Sequence, residues 1–90
     1  MLTQRAALVC RYIAANIRRL RLRRGLTQEQ LGEAADVAPR YVQRIETGRI
    51  NPSAAVIAAI AETLGVDPGQ LFRPARIGER REGRPRKPRS

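Results

Sequence analysis

Residues 26–48 read LTQEQLGEAADVAPRYVQRIETG, and this stretch decides the fold. Apolar residues fall at Leu31, Ala34, Ala35, Val37, Val42 and Ile45. The groups 31–35 and 42–45 each keep helical spacing, and Val37 plugs the turn between them. Thr27 is a good N-cap for the first of these helices, with Gln30 three residues later completing a capping box. Asp36 falls in the turn, where Asp tolerates left-handed geometry. Pro39 takes the first position of the second helix, where its missing N–H is no loss, and Gly48 ends it. A helix turned about a right angle onto its predecessor buries one face and leaves the other free to enter a groove.

The same reasoning extends outward. Val9, Ile13, Ile17 and Leu20 form one apolar stripe, which predicts a first helix from about Thr3 to Arg24. Gly25 then supplies the positive φ that a helix C-terminus favours. Asn51-Pro52-Ser53 starts a further helix with Ser53 or Asn51 as its cap. Its buried stripe is Val56, Ile57, Ile60, Ala61 and Leu64, and Gly65 closes it. A last turn of helix over residues 67–72 is expected to tuck Val66, Leu71 and Phe72 onto the core. The fold class is therefore all-α.

Ninety residues make one small domain, and a chain this short buries only ~60% of its unfolded surface. Aromatic content is 3% within a hydrophobic content of 42%, which suits closely packed helices with short side chains. Cys10 is alone, so no intramolecular disulfide can form, and a reducing compartment fits. The apolar run AALVC is five residues long and ends at Arg11, too short for a signal peptide. No segment approaches the ~20 apolar residues of a membrane span. The expected location is the bacterial cytoplasm, where the DNA is.

The charge is uneven. Residues 1–72 carry ten basic and six acidic side chains, a net of +4, whereas residues 73–90 carry eight and two, a net of +6. Seventeen of the eighteen basic residues are Arg, which suits bidentate phosphate or guanine contacts. A compositional bias toward Arg and Ala is the competing explanation. The tail over 73–90 combines Pro, Gly and Arg with one aliphatic, Ile77, so it cannot offset its own ordering entropy and reads as disordered. Set on a chain of net charge +10, a projecting helix points to the groove of double-stranded DNA.

The segments IRRLRLRRGLTQEQLGEAA, VAPRYVQRIETG and NPS…IAAIAETLGVDPGQLF closely resemble the lambda-repressor and Cro-type family, also called the xenobiotic-response-element-like family. The resemblance runs over 13–72, with the helix-turn-helix at about 28–47. Residues 1–12 lie outside it as an N-terminal extension of the first helix. It implies a five-helix fold, dimeric DNA binding and transcriptional control. Residue by residue, it gives Gln28 a phosphate contact that also braces the recognition helix, with Thr27 before it. It places Pro39, Arg40 and Arg44 at base edges, flanked by Tyr41 and Gln43. Arg40 is the first choice for a bidentate guanine contact, since the start of a recognition helix penetrates deepest. Thr47, Arg49 and Asn51 follow in a loop along the backbone, positioning the domain without specifying sequence. Arg21 and Glu46 resemble a family pair joining the first helix to the end of the recognition helix.

Competing roles stand beside these. Arg40 and Arg44 would otherwise be solvated helix charges, Gln28 a first-turn residue, and Arg21 and Glu46 independent surface charges. Tyr41 is equally suited to packing against the preceding helix, to a phosphate and to a base. The chain departs from the family pattern at three places. Gly32 stands at the helix crossing where Ala is usual, and lowers helix propensity by ~1 kcal/mol. Asp36 replaces a turn glycine. Ala38 replaces a Ser or Thr cap that can stabilise by ~1 kcal/mol.

An enzyme is not expected. The chain has no His, one Cys and eight carboxylates without catalytic or metal-binding spacing, and no cofactor, metal site or membrane association is implied. The expected function is that of a bacterial transcriptional regulator, a repressor dimer on a partly palindromic operator. A restriction–modification controller protein is the alternative within DNA binding. An antitoxin, whose tail would take a protein partner, is the alternative from another class.

Overall fold

The computed structural model describes residues 3–77. Four α-helices and one 3₁₀ turn follow in order, and the described residues contain no strand. Helix α1 spans Gln4–Arg23, α2 Gln28–Ala35, α3 Pro39–Glu46 and α4 Ala54–Leu64, with the 3₁₀ turn at Pro68–Phe72. The expected disorder of the tail falls largely on residues 78–90, which lie outside the described residues.

The ends of the helices follow from local chemistry. The Thr3 hydroxyl accepts from the Ala6 N–H at 3.1 Å and opens α1. At α2 the capping box is complete: Thr27 Oγ1 accepts from Gln30 N–H at 2.9 Å, and Gln30 Oε1 accepts from Thr27 N–H at 2.9 Å. Asp36 closes α2 in the left-handed region, at φ 58° and ψ 43°. Helix α3 starts at Pro39 behind Ala38, which offers no side-chain acceptor. Ser53, not Asn51, caps α4 by accepting from the Val56 N–H at 3.1 Å. At the far end of α4, Arg24 Nη1 donates to the Leu64 carbonyl at 3.0 Å, placing a cation at the negative end of the helix.

The core sits where the helices converge. Ile17, Leu31, Val42, Ile45, Ile60 and Leu71 are its largest fully buried side chains, each contributing about 1.5–3 kcal/mol of burial. Helix α1 packs on α3, α4 and the 3₁₀ turn, while α2 packs on α3 and α4. Val9, Leu20, Val56 and Val66 lie partly buried around this centre.

Three expectations are corrected. Ala34 is exposed, because Leu31 and Ala35 already supply the inner face of α2. Phe72 is 43% exposed: its neighbour Leu71 takes the core position. Asn16 Nδ2 then holds the carbonyls of Leu71 and Arg73, each at 2.9 Å, which fixes the chain on either side of Phe72. Gly32 is not simply a poor helix former. A Cβ there would lie 2.6 Å from the Val37 carbonyl oxygen and 3.1 Å from Pro39 Cα. The turn between α2 and α3 passes so close over α2 that only glycine leaves room.

Candidate nucleic-acid interface

Helix α3 has two faces of opposite character. Val42 and Ile45 are buried, and Tyr41 is half-buried against the same core. Arg40, Gln43, Arg44 and Thr47 are exposed, and their spacing of three, one and three places them on one side of a helix. Tyr41, for which sequence left three roles, packs into the core cluster. Pro39 is exposed at the first helical position, beside Arg40.

The acidic residue of α3 is turned inward. Glu46 Oε2 accepts from Arg21 Nε at 2.7 Å, and Oε1 accepts from Arg21 Nη2 at 3.0 Å and Gln28 Nε2 at 3.0 Å. Arg21 Nη1 donates in addition to the Leu26 carbonyl at 2.7 Å. The side chains of Arg21 and Glu46 retain only 7% and 4% of their exposure, so this is a buried, bidentate pair. It ties the end of α1, the loop before α2, the start of α2 and the end of α3 to one point. With Glu46 neutralised inside, the outward face of α3 carries only positive charge.

The remaining candidates surround this face. Thr27 is exposed and engaged in its capping box. Gln28 is half-buried, its amide shared with Glu46. Thr47 Oγ1 donates to the Arg44 carbonyl at 2.6 Å and accepts from the Arg49 N–H at 3.2 Å, which shapes the loop that leaves α3. Gly48 continues it at φ 78°. Arg49 and Asn51 project from that loop and are exposed, whereas Pro52 between α3 and α4 is buried.

Sequence patterns missed Asn16, Arg24 and the Arg21 bond to Leu26. The first two bridge partners 40 or more residues away, which no local periodicity encodes; a polar residue on the apolar stripe of α1 was the available signal for Asn16. Among the described residues, no three His, Cys, Asp or Glu gather where they could hold a metal ion. No helix there is long and apolar enough to cross a membrane.

Known proteins resemble this chain in sequence and fold. Residues 17–71 match the Helix-turn-helix family. An HTH-type transcriptional regulator of Sinorhizobium fredii is 34% identical over 62 residues, covering 69% of this chain and 80% of that protein. The immunity repressor protein of Bacillus phage phi105 is 39% identical over 54 residues, 60% of this chain but 38% of the repressor. The crystal structure of the restriction-modification controller protein C.AhdI from Aeromonas hydrophila superposes with a TM-score of 0.67 at 32% identity. That match covers 70% of this chain and 96% of the controller.

Proposed function

Since this chain belongs to the lambda-repressor-like helix-turn-helix family of DNA-binding transcription regulators, we propose that it is a repressor that binds a partly palindromic operator as a dimer. In this reading α3 lies in the major groove, Arg40 takes a guanine through O6 and N7, and Arg44 and Gln43 reach neighbouring bases. The carrying observation is the one-sided chemistry of α3, with Arg40, Gln43 and Arg44 outward and Glu46 locked inward. A carboxylate left on the outer face would repel phosphate. The Glu46 hub holds the helix at its far end, so the outer face keeps one pose relative to α2.

Backbone contacts surround the base-reading face. Ala38 supplies no side-chain acceptor, which leaves the Arg40 N–H, at the positive end of the helix, available to a phosphate. Gln28, Thr27, Thr47, Arg49 and Asn51 border the same face and position it.

Size favours a dimer. One helix of eight residues reads too few base pairs to specify a genomic site, and two copies around a two-fold axis double the sequence read. The likeness to an immunity repressor supports the sign of regulation. Coverage of nearly the whole C.AhdI chain supports a second reading, a restriction–modification controller protein; both readings share the same DNA-binding mode. Sedimentation of the protein on its preferred duplex, combined with footprinting, tests the proposal. Two chains over half-sites about one helical turn apart, roughly 34 Å between centres, are expected. A monomer saturating one isolated half-site would overturn it.

A further inference from the structure

We propose that a cleft beside the C-terminal end of α3 grips the phosphate backbone that flanks the base-reading contacts, through Arg11, Arg18 and Arg76; this rests on the DNA-binding reading above. The cleft encloses about 700 Å³. Its floor is one face of α1, on which Arg11, Ala15, Arg18 and Leu22 recur at four, three and four residues. Thr47, Gly48, Arg76 and Ile77 complete its lining.

The lining is held in place at two points. Gly48 presses on α1 so closely that a Cβ there would lie 3.3 Å from Arg11 Cγ, so the loop and the arginine stem fix one another. The two Asn16 bonds to Leu71 and Arg73 pin the chain alongside α1 three residues before Arg76. Asn16 is 2% exposed and its bond to Leu71 is buried.

The charge in the cleft is unbalanced. Glu46 also lines the cleft, with both oxygens taken by Arg21 and Gln28. Arg19 donates to Asn16 Oδ1 at 3.2 Å. Arg11, Arg18 and Arg76 are exposed and have no carboxylate partner among the described residues. Arg19 keeps its charge on a neutral amide partner, so four like charges line the concave surface, focus the field and favour an anion that bridges them. The cleft continues directly from Thr47, at the end of the outward face of α3. The start of a recognition helix goes deepest into the groove, so its far end comes out at the groove wall, where phosphates pass. The fitting occupant is therefore the DNA backbone next to the half-site; an acidic protein segment is the rival.

The full-length double variant Arg11→Gln/Arg18→Gln tests this. Affinity is measured by fluorescence anisotropy from about 50 to 200 mM salt. The probes are the duplex preferred by the wild type, extended one turn beyond the site, and an unrelated duplex of equal length. The slope of log K against log salt is expected to become shallower by about 0.9 for each phosphate no longer neutralised, about 1.8 for the pair. The weakening is expected on both duplexes, with base preference unchanged. Arg11→Lys/Arg18→Lys should keep most of the slope, and Asn16→Leu should lower it with every arginine still present, because Arg76 is no longer held. Unchanged slopes in a variant with a native circular dichroism spectrum overturn the proposal and point to the acidic partner. A weakening confined to the preferred duplex overturns it too, since that is base reading. If the wild type itself prefers no duplex, the base-reading function fails, while the slope on the unrelated duplex still decides the cleft.

Discussion

Replacing Glu46 with Ala removes one acceptor from three donors at once. Arg21 Nε at 2.7 Å, Arg21 Nη2 at 3.0 Å and Gln28 Nε2 at 3.0 Å are all left without their partner. The Arg21 side chain is only 7% exposed, so its charge loses most of its compensation when the carboxylate goes. Deleting one member of a buried pair costs about 3–5 kcal/mol. Arg21 keeps its bond to the Leu26 carbonyl, which places the expected loss near the lower end, about 3 kcal/mol. Arg21→Ala should destabilise by a similar amount, leaving Glu46 with Gln28 alone and Leu26 without its donor. That is a large part of the total, since a domain of this size has only about 5–10 kcal/mol of stability. The double variant strands no buried charge, so its loss should be about 4 kcal/mol rather than about 6, a coupling of about 2 kcal/mol. Urea unfolding at neutral pH, followed by circular dichroism with m-values compared across the four proteins, gives the cycle. Additive losses would refute the account of Glu46 as the point that fixes α3.

Gly32→Ala should lower stability by about 1–3 kcal/mol, despite a helix propensity gain of about 1 kcal/mol, because the new methyl meets the backbone of Val37 and Pro39. A raised unfolding midpoint would show that the crossing has slack. Ala38→Ser should stabilise the fold by about 1 kcal/mol by giving α3 the side-chain cap it lacks; thermal unfolding measures the shift, and an unchanged midpoint would contradict it.

Local rules carried the helices and their ends. The capping box of Thr27 and Gln30, the left-handed Asp36 and the glycines at 25, 48 and 65 all depend on neighbours within a few positions. Family resemblance names Arg40, Gln43 and Arg44, and their common exposed side with Thr47 is seen in the structure. What sequence could not supply depends on distant parts of the chain. The pair Arg21 and Glu46 is 25 residues apart, so only family resemblance points to it. Gly32 reads as a defect in sequence because the obstacle, the Val37 carbonyl, arrives by way of the turn. Apolar character does not say which of two neighbours points inward, so sequence does not separate Ala34 from Ala35 or Phe72 from Leu71. Arg11, Arg18 and Arg76 come from both ends of the domain, so no stretch of sequence displays their cleft.

Selection of bound duplexes from a random pool, run in parallel with the wild type and Arg40→Ala, tests the reading of α3 most directly. The wild type should enrich two inverted half-sites about one helical turn apart. Arg40→Ala should lose preference at one symmetry-related position, usually guanine, at about 1–3 kcal/mol per site, with the rest of the motif kept. No enriched motif for the wild type, or an identical motif and affinity for the variant, would contradict it.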